Sequence, residues 1–132
     1  MGFADNSEAK KEISAVVADD FPVMKAALVS CVESFPGIQV VATAENGKDA
    51  LERVREHEPA LAVVDLQMPV MDGFKVLREL RKAYPQMHLI AVSGHHGPTV
   101  VEEALSAGAN AFVSKNDLPF GLITTLEKVL AA

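Results

Sequence analysis

The chain has 132 residues, 49% of them hydrophobic and 23% charged, with a net charge of −6. That length suits one compact domain of the soluble type, and an acidic balance excludes the basic surface on which a nucleic-acid grip depends. A single cysteine excludes an internal disulfide, and no apolar run approaches the roughly 20 residues needed to cross a bilayer.

Met1 to Lys11 is polar, carries charges of both signs and lacks the apolar stretch of a secretory signal. Residues 1–11 read as a mobile tail and residues 12–132 as the domain. The first apolar run, Ile13 to Ala18, ends at Asp19-Asp20. Pro22 then sits where the first turn of a helix loses nothing by lacking an N–H. Met24, Ala27, Leu28, Cys31 and Val32 recur at three- and four-residue steps, which predicts one inward helical face. Pro36-Gly37 ends that segment.

The second run is Val40 to Ala44. Asn46-Gly47 leads into a helix with Ala50, Leu51 and Val54 inward, closed before Pro59. The third run, Leu61 to Val64, ends at Asp65. After Gln67-Met68-Pro69-Val70-Met71 comes a helix carrying Phe74, Val76, Leu77, Leu80 and Tyr84, stopped by Pro85. The fourth run, Leu89 to Val92, ends at Ser93-Gly94. Pro98 opens a shorter helix with Val101, Ala104 and Leu105, and Gly108 suits its C-terminal cap. Ala111 to Val113 forms the fifth run and reaches Ser114-Lys115. The last helix carries Leu122, Ile123, Leu126, Val129 and Leu130.

Five strands thus alternate with five helices. Strands that are almost continuously Val, Ile, Leu and Ala are buried on both faces, so a parallel, doubly wound α/β sheet is expected. In such sheets ligands bind outside the carboxyl ends of the strands. Asp19, Asp20, Asp65, Ser93 and Lys115 occupy those ends. Three carboxylates in one cleft repel one another unless a cation neutralises them, and an all-oxygen donor set suits Mg²⁺. With Lys115 added, the cleft can hold a phosphoryl group and Asp65 can attack phosphorus. Each residue alone has a plainer role: Asp20 as a helix cap, Lys115 as a solvated cation, Ser93 as a turn residue. It is their meeting at one edge that points to chemistry.

Four segments carry a family resemblance: Val-Val-Ala-Asp-Asp at 16–20, Val-Val-Asp-Leu-Gln-Met-Pro-Val-Met-Asp-Gly at 63–73, Ala-Val-Ser-Gly at 91–94, and Ala-Gly-Ala-Asn-Ala-Phe-Val-Ser-Lys at 107–115. From about residue 13 to 130 the chain resembles the receiver domains of bacterial two-component response regulators. The resemblance implies a three-layer, flavodoxin-like fold with a five-stranded parallel sheet in order 2-1-3-4-5. It implies that Asp65 accepts a phosphoryl group from a sensor histidine kinase. Asp20 and Asp65 would ligate Mg²⁺ directly, Asp19 largely through water, and the Gln67 backbone carbonyl would be a further ligand. Ser93 and Phe112 would be the switch pair, and Lys115 would pair with a phosphoryl oxygen.

Ser93 stands where Thr is commoner and Phe112 where Tyr is commoner. Asn116 follows Lys115 where many relatives have Pro, so no cis bond is expected there. Asp20-Phe21-Pro22 and Lys115-Asn116-Asp117-Leu118-Pro119 resemble the subfamily that usually carries a LuxR-type helix-turn-helix output domain. These 132 residues hold no such domain, so the expectation is a stand-alone receiver or the receiver piece of a longer protein. DNA would then be reached only through an output domain outside this chain. The same resemblance implies the cytoplasm, no membrane, a possible homodimer, and a signalling switch rather than a turnover enzyme. A haloacid-dehalogenase-like hydrolase would place an Asp where Gln67 stands. A flavin module would not place Asp19-Asp20 at its phosphate loop.

His95-His96 reads as a solvated loop pair rather than a metal pair. His95 lies two residues past Ser93 and Gln67 two past Asp65, so both are expected to border the path of water to the phosphoryl group. Met68, Met71 and Met87 read as gap fillers. Cys31 reads as an inert core residue, and His57 and His88 as surface or core-edge residues.

Overall fold

The computed structural model describes residues 13–95 and 97–131; the expected tail lies outside them. Strands β1 (Ile13–Ala18), β2 (Ile38–Ala44), β3 (Leu61–Asp65), β4 (His88–Ser93) and β5 (Ala111–Ser114) alternate with helices α1 (Pro22–Glu33), α2 (Gly47–His57), α3 (Gly73–Ala83), α4 (Pro98–Ser106) and α5 (Phe120–Ala131). A short 3-10 turn, Lys115–Asp117, joins β5 to α5. All strand pairs are parallel, and the order is β2-β1-β3-β4-β5. The fold class and strand order are those expected from the sequence.

The pleat divides the apolar residues between two layers. Ala15, Val17, Leu61, Val63, Ile90, Val92 and Val113 face α1 and α5, where Leu28, Val32, Leu122 and Leu126 cover them. Val16, Ala18, Ala62, Val64, Leu89 and Ala91 face α2, α3 and α4. Between β1 and β2 the register slips after Ala15, so Ala15 pairs with Val40 and Val16 with Ala42. Val41 is the extra residue of a β-bulge. Without it Ala42 and Ala44 would point to the wrong layer.

Helix α3 illustrates how sequence becomes packing. The Asp72 side chain accepts the Lys75 N–H at 2.9 Å and so caps the first turn. Val76, Leu77 and Leu80 are fully covered. Each contributes about 1.5–3 kcal/mol of apolar burial. Arg81, one residue further, ties the opposite, amino-terminal end of the sheet together. Its guanidinium donates to the carbonyls of Gly108, Pro85 and Met87 and to Asn110 Oδ1 at 2.8–3.0 Å. The sequence pattern assigns Arg81 no role, because its partners lie in two loops, the one after its own helix and the one that leads into β5.

One inward assignment fails: Ala27 is exposed, and in α4 the apolar Leu105 is likewise 45% exposed. Both follow the helical period, but α1 and α4 flank the sheet and bury a stripe narrower than the period suggests. Cys31 is buried and its thiol donates to Pro119 O at 3.4 Å. Burial pushes that thiol's pKa up, as befits an unreactive residue. Met68 and Met87 are buried and Met71 packs against the core, as gap fillers should. His57 and His95 are exposed, His88 is half-buried, and His96 lies outside the described residues. Among the described residues the cis peptide bond is Leu118–Pro119, and Lys115–Asn116 is trans.

Candidate functional site

Four neighbouring strands end in the same local device. A side-chain oxygen at the last strand position, or just past it, accepts the N–H two residues on. Asp19 Oδ1 takes Phe21 N at 2.9 Å, and Asp65 Oδ1 takes Gln67 N at 3.1 Å. Ser93 Oγ takes His95 N at 3.0 Å, and Ser114 Oγ takes Asn116 N at 3.1 Å. Short oxygen-bearing side chains compete with the ladder for backbone donors, so each turn both stops its strand and fixes its side chain. Because the strands are parallel, all four stops fall on one edge.

Asp65 ends the central strand and is 1% exposed; Asp19 is fully buried and Asp20 exposed. The Lys115 ammonium lies 3.0 Å from Asp19 Oδ2 and 3.2 Å from Asp65 Oδ2. Carboxylate oxygens of Asp19, Asp20 and Asp65 all lie within 4.8 Å of one another. The five residues read from the strand ends are therefore gathered at one edge, with the three carboxylates close together and Lys115 in contact with two of them. Ser93 is buried at the end of the adjacent strand β4, where Ser93 pairs with Ser114. Its oxygen already accepts from His95, which leaves its hydrogen to donate. Phe112 is half-buried, opposite Ala91 and on the α4 side of the sheet.

Gly73 is what allows this crowding. A Cβ there would collide with the Asp65 carbonyl oxygen and lie 2.5 Å from Leu66 Cα. Its own N–H donates to Leu66 O at 3.1 Å. Glycine thus folds the β3–α3 loop back onto the strand that carries Asp65.

The electrostatics follow from burial. Burial pushes the Asp65 carboxyl above its ordinary value; the Gln67 N–H opposes this, the Asp19 charge adds to it, and Lys115 opposes it again. For Lys115, burial works against the ammonium, but contact with Asp19 and the charges of Asp65 and Asp19 outweigh it and the pKa rises. The pocket holds three carboxylates against one ammonium. Its donors are oxygens only, and Asp20 leaves one side open to solvent. Such a set fits a hard divalent cation that keeps some of its waters.

These features have counterparts in known proteins. Residues 15–127 match the family model of the response regulator receiver domain. The chain belongs to that family. A receiver domain is a phosphoacceptor signalling module, and the five-stranded 2-1-3-4-5 sheet is its architecture. Over 104 residues the chain is 40% identical to protein-glutamate methylesterase/protein-glutamine glutaminase 1 of Oleidesulfovibrio alaskensis, covering 78% of this chain and 28% of that one. It is 32% identical over 106 residues to the probable transcriptional regulatory protein NarL of Mycobacterium tuberculosis, covering 80% and 49%. The solved signal receiver domain of the putative response regulator NarL from that organism superposes with a TM-score of 0.81 at 29% identity, covering 89% of this chain and 94% of the other. The chain thus spans between about a quarter and a half of the length of these two curated relatives. No helix among the described residues is long and apolar enough to cross a membrane.

Proposed function

We propose that Asp65 is the phosphoacceptor of this receiver, with Asp19, Asp20, Asp65 and the Gln67 backbone carbonyl as ligands of Mg²⁺. One observation supports this reading above the rest: a single ammonium spans two buried carboxylates at the carboxyl edge of a parallel sheet, beside a third carboxylate open to solvent. A bound Mg²⁺ would neutralise phosphoryl oxygens and the acidic cluster. An Asp65 carboxylate oxygen attacks phosphorus. The new bond is O–P, the donor's N–P bond breaks, and its electron pair returns to the histidine nitrogen of a sensor kinase. Lys115 then exchanges a carboxylate for a phosphoryl oxygen, and the Ser93 hydroxyl donates to another.

The phosphoryl group brings up to two negative charges into the reach of Lys115 and Ser93. As Ser93 moves toward it, the Phe112 ring turns into the space left behind. This biases two arrangements of the α4–β5–α5 face, which an output domain, another protein or a second copy of the chain reads. The two curated relatives carry different outputs, one being a methylesterase and the other a probable transcriptional regulator. The output assigned here is transcriptional, reached through a DNA-binding domain outside these residues, and the compartment is the cytoplasm. The chain is a switch that assists its own phosphorylation and dephosphorylation, not a turnover enzyme. His95 and Gln67 border the path of water and set the phosphoryl lifetime.

The test is incubation with acetyl phosphate and Mg²⁺, read by intact mass. The parent gains one phosphoryl group and Asp65→Asn gains none. Equal labelling of the two, or labelling that ignores Mg²⁺, overturns the assignment.

A further inference from the structure

Of the four strands that stop on a side-chain oxygen, three do so with Asp19, Asp65 and Ser93, which belong to the pocket. The fourth stops on Ser114, which has no part in the chemistry proposed for Asp65. Ser114 is half-buried, and its Oγ accepts the Asn116 N–H at 3.1 Å. Its place in the fold gives that bond a use.

The sheet itself holds the two buried carboxylates. Asp65 lies inside β3, paired with Val92, and the Asp19 N–H donates to Ala44 O at 3.1 Å. Lys115 lies past the sheet. The ladder between β4 and β5 ends at the Ser93–Ser114 pair, and Lys115 is the first residue beyond it, in the 3-10 turn Lys115–Asp117. Ser114 is the N-cap of that turn, closing it through the Asn116 N–H. The bond depends on Asn116, because a proline there would bring no N–H. Helix α5 meets the other end of the turn, where a Cβ on Gly121 would lie 2.7 Å from Asp117 Cβ. The turn that carries Lys115 is thus clamped at both ends.

A lysine stem is long and flexible, yet its end has a strict position here. The ammonium lies 3.0 Å from Asp19 Oδ2 and 3.2 Å from Asp65 Oδ2, with the side chain 18% exposed. Turning the root of such a stem by roughly 10–20° displaces its end by about 1 Å, enough to slow a transfer that depends on alignment. We propose that Ser114 is a positioning residue for Lys115. Its Oγ fixes the turn that aims the ammonium between Asp19 and Asp65, where an oxygen of the incoming phosphoryl group will need it. A serine that only ended its strand would affect stability and leave the cation in place. The proposal rests on the phosphoacceptor reading of Asp65, and the experiment separates the two.

Threonine and valine share an outline and differ in one oxygen, so Ser114→Thr keeps the turn and Ser114→Val loses it. Both are β-branched and suit a strand end. Labelling by phosphoramidate in saturating Mg²⁺ is followed by intact mass, and Mg²⁺ affinity of the unlabelled protein by thermal shift. Ser114→Val labels about fivefold to tenfold more slowly than the parent, and Ser114→Thr stays within about twofold. The Mg²⁺ affinity of Ser114→Val holds or rises by up to about threefold, because an ammonium loosened from Asp19 and Asp65 repels the metal less. Ser114→Ala and Ser114→Asn repeat the comparison in another shape, the Asn side-chain oxygen rebuilding the turn. Ser114→Val as fast as the parent overturns the inference, and so does Ser114→Thr as slow as Ser114→Val. A slower label matched by weaker Mg²⁺ binding also overturns it, since the damage then lies in the whole pocket. Failure to label the parent, or equal labelling of Asp65→Asn, instead overturns the phosphoacceptor reading.

Discussion

Replacing Asp65 with Asn should make the metal-free protein more stable at neutral pH while abolishing its phosphorylation. Asp65 is 1% exposed, and burial raises its carboxyl pKa above the unfolded value, with the Asp19 charge adding to the rise. An acid whose folded pKa is raised binds more protons when folded than when unfolded. Stability therefore falls as pH climbs through that window and stays depressed above it. Asparagine keeps an oxygen to accept the Gln67 N–H and removes the charge. Lys115 retains its 3.0 Å contact with Asp19, so the pocket's excess of two negative charges falls to one, carried by the exposed Asp20. Relief of this kind in a buried charge cluster is worth about 1–3 kcal/mol. For a chain of this size that is about 4 °C of melting temperature per kcal/mol. The assay is urea denaturation in EDTA at several pH values from 4 to 8. The gain should be largest at the alkaline end of that range and shrink toward the acid end, as the parent's Asp65 takes up its proton. A variant less stable than the parent at pH 7.5, or a gain that does not change with pH, would refute the electrostatic account.

Adding Mg²⁺ should reverse that order, because it stabilises only the form that binds it. At 100 times the dissociation constant the parent should gain about 2.7 kcal/mol, and Asp65→Asn much less, in a thermal shift against Mg²⁺ concentration. Lys115→Met leaves Asp19 and Asp65 facing each other with no cation; stability at pH 7.5 should drop by about 3–5 kcal/mol in urea, and the drop should narrow in acid. Gly73→Ala drives a Cβ into the Asp65 carbonyl, so it should cost about 3 kcal/mol or more in the same urea measurement and slow acetyl phosphate labelling. Arg81→Ala strips acceptors of their donor at the far end of the sheet. It should cost about 2–4 kcal/mol in chemical denaturation while leaving the labelling rate of the folded protein unchanged.

By itself the sequence determined the order of elements and the residues that gather at the carboxyl edge of the sheet. Both depend on local information. Apolar runs bounded by Asp, Ser and Pro mark strands and their ends, and in a parallel sheet every such end must fall on one edge, whatever the details of packing. Asp19, Asp20, Asp65, Ser93 and Lys115 were legible for that reason. What the local pattern could not contain is contact between distant segments. The Val41 bulge is decided by which layer must cover β2, the exposure of Ala27 and Leu105 by how α1 and α4 lie on the sheet, and the place of Arg81 by carbonyls from two separate loops. The left-handed Val70 belongs with these. Nothing in Met-Pro-Val-Met announces it, because the conformation is imposed by Gly47, Gly73 and the buried Met68 closing on the loop from outside. A side chain's chemistry travels with its letter, whereas its backbone strain and its neighbours exist only once the chain has closed on itself.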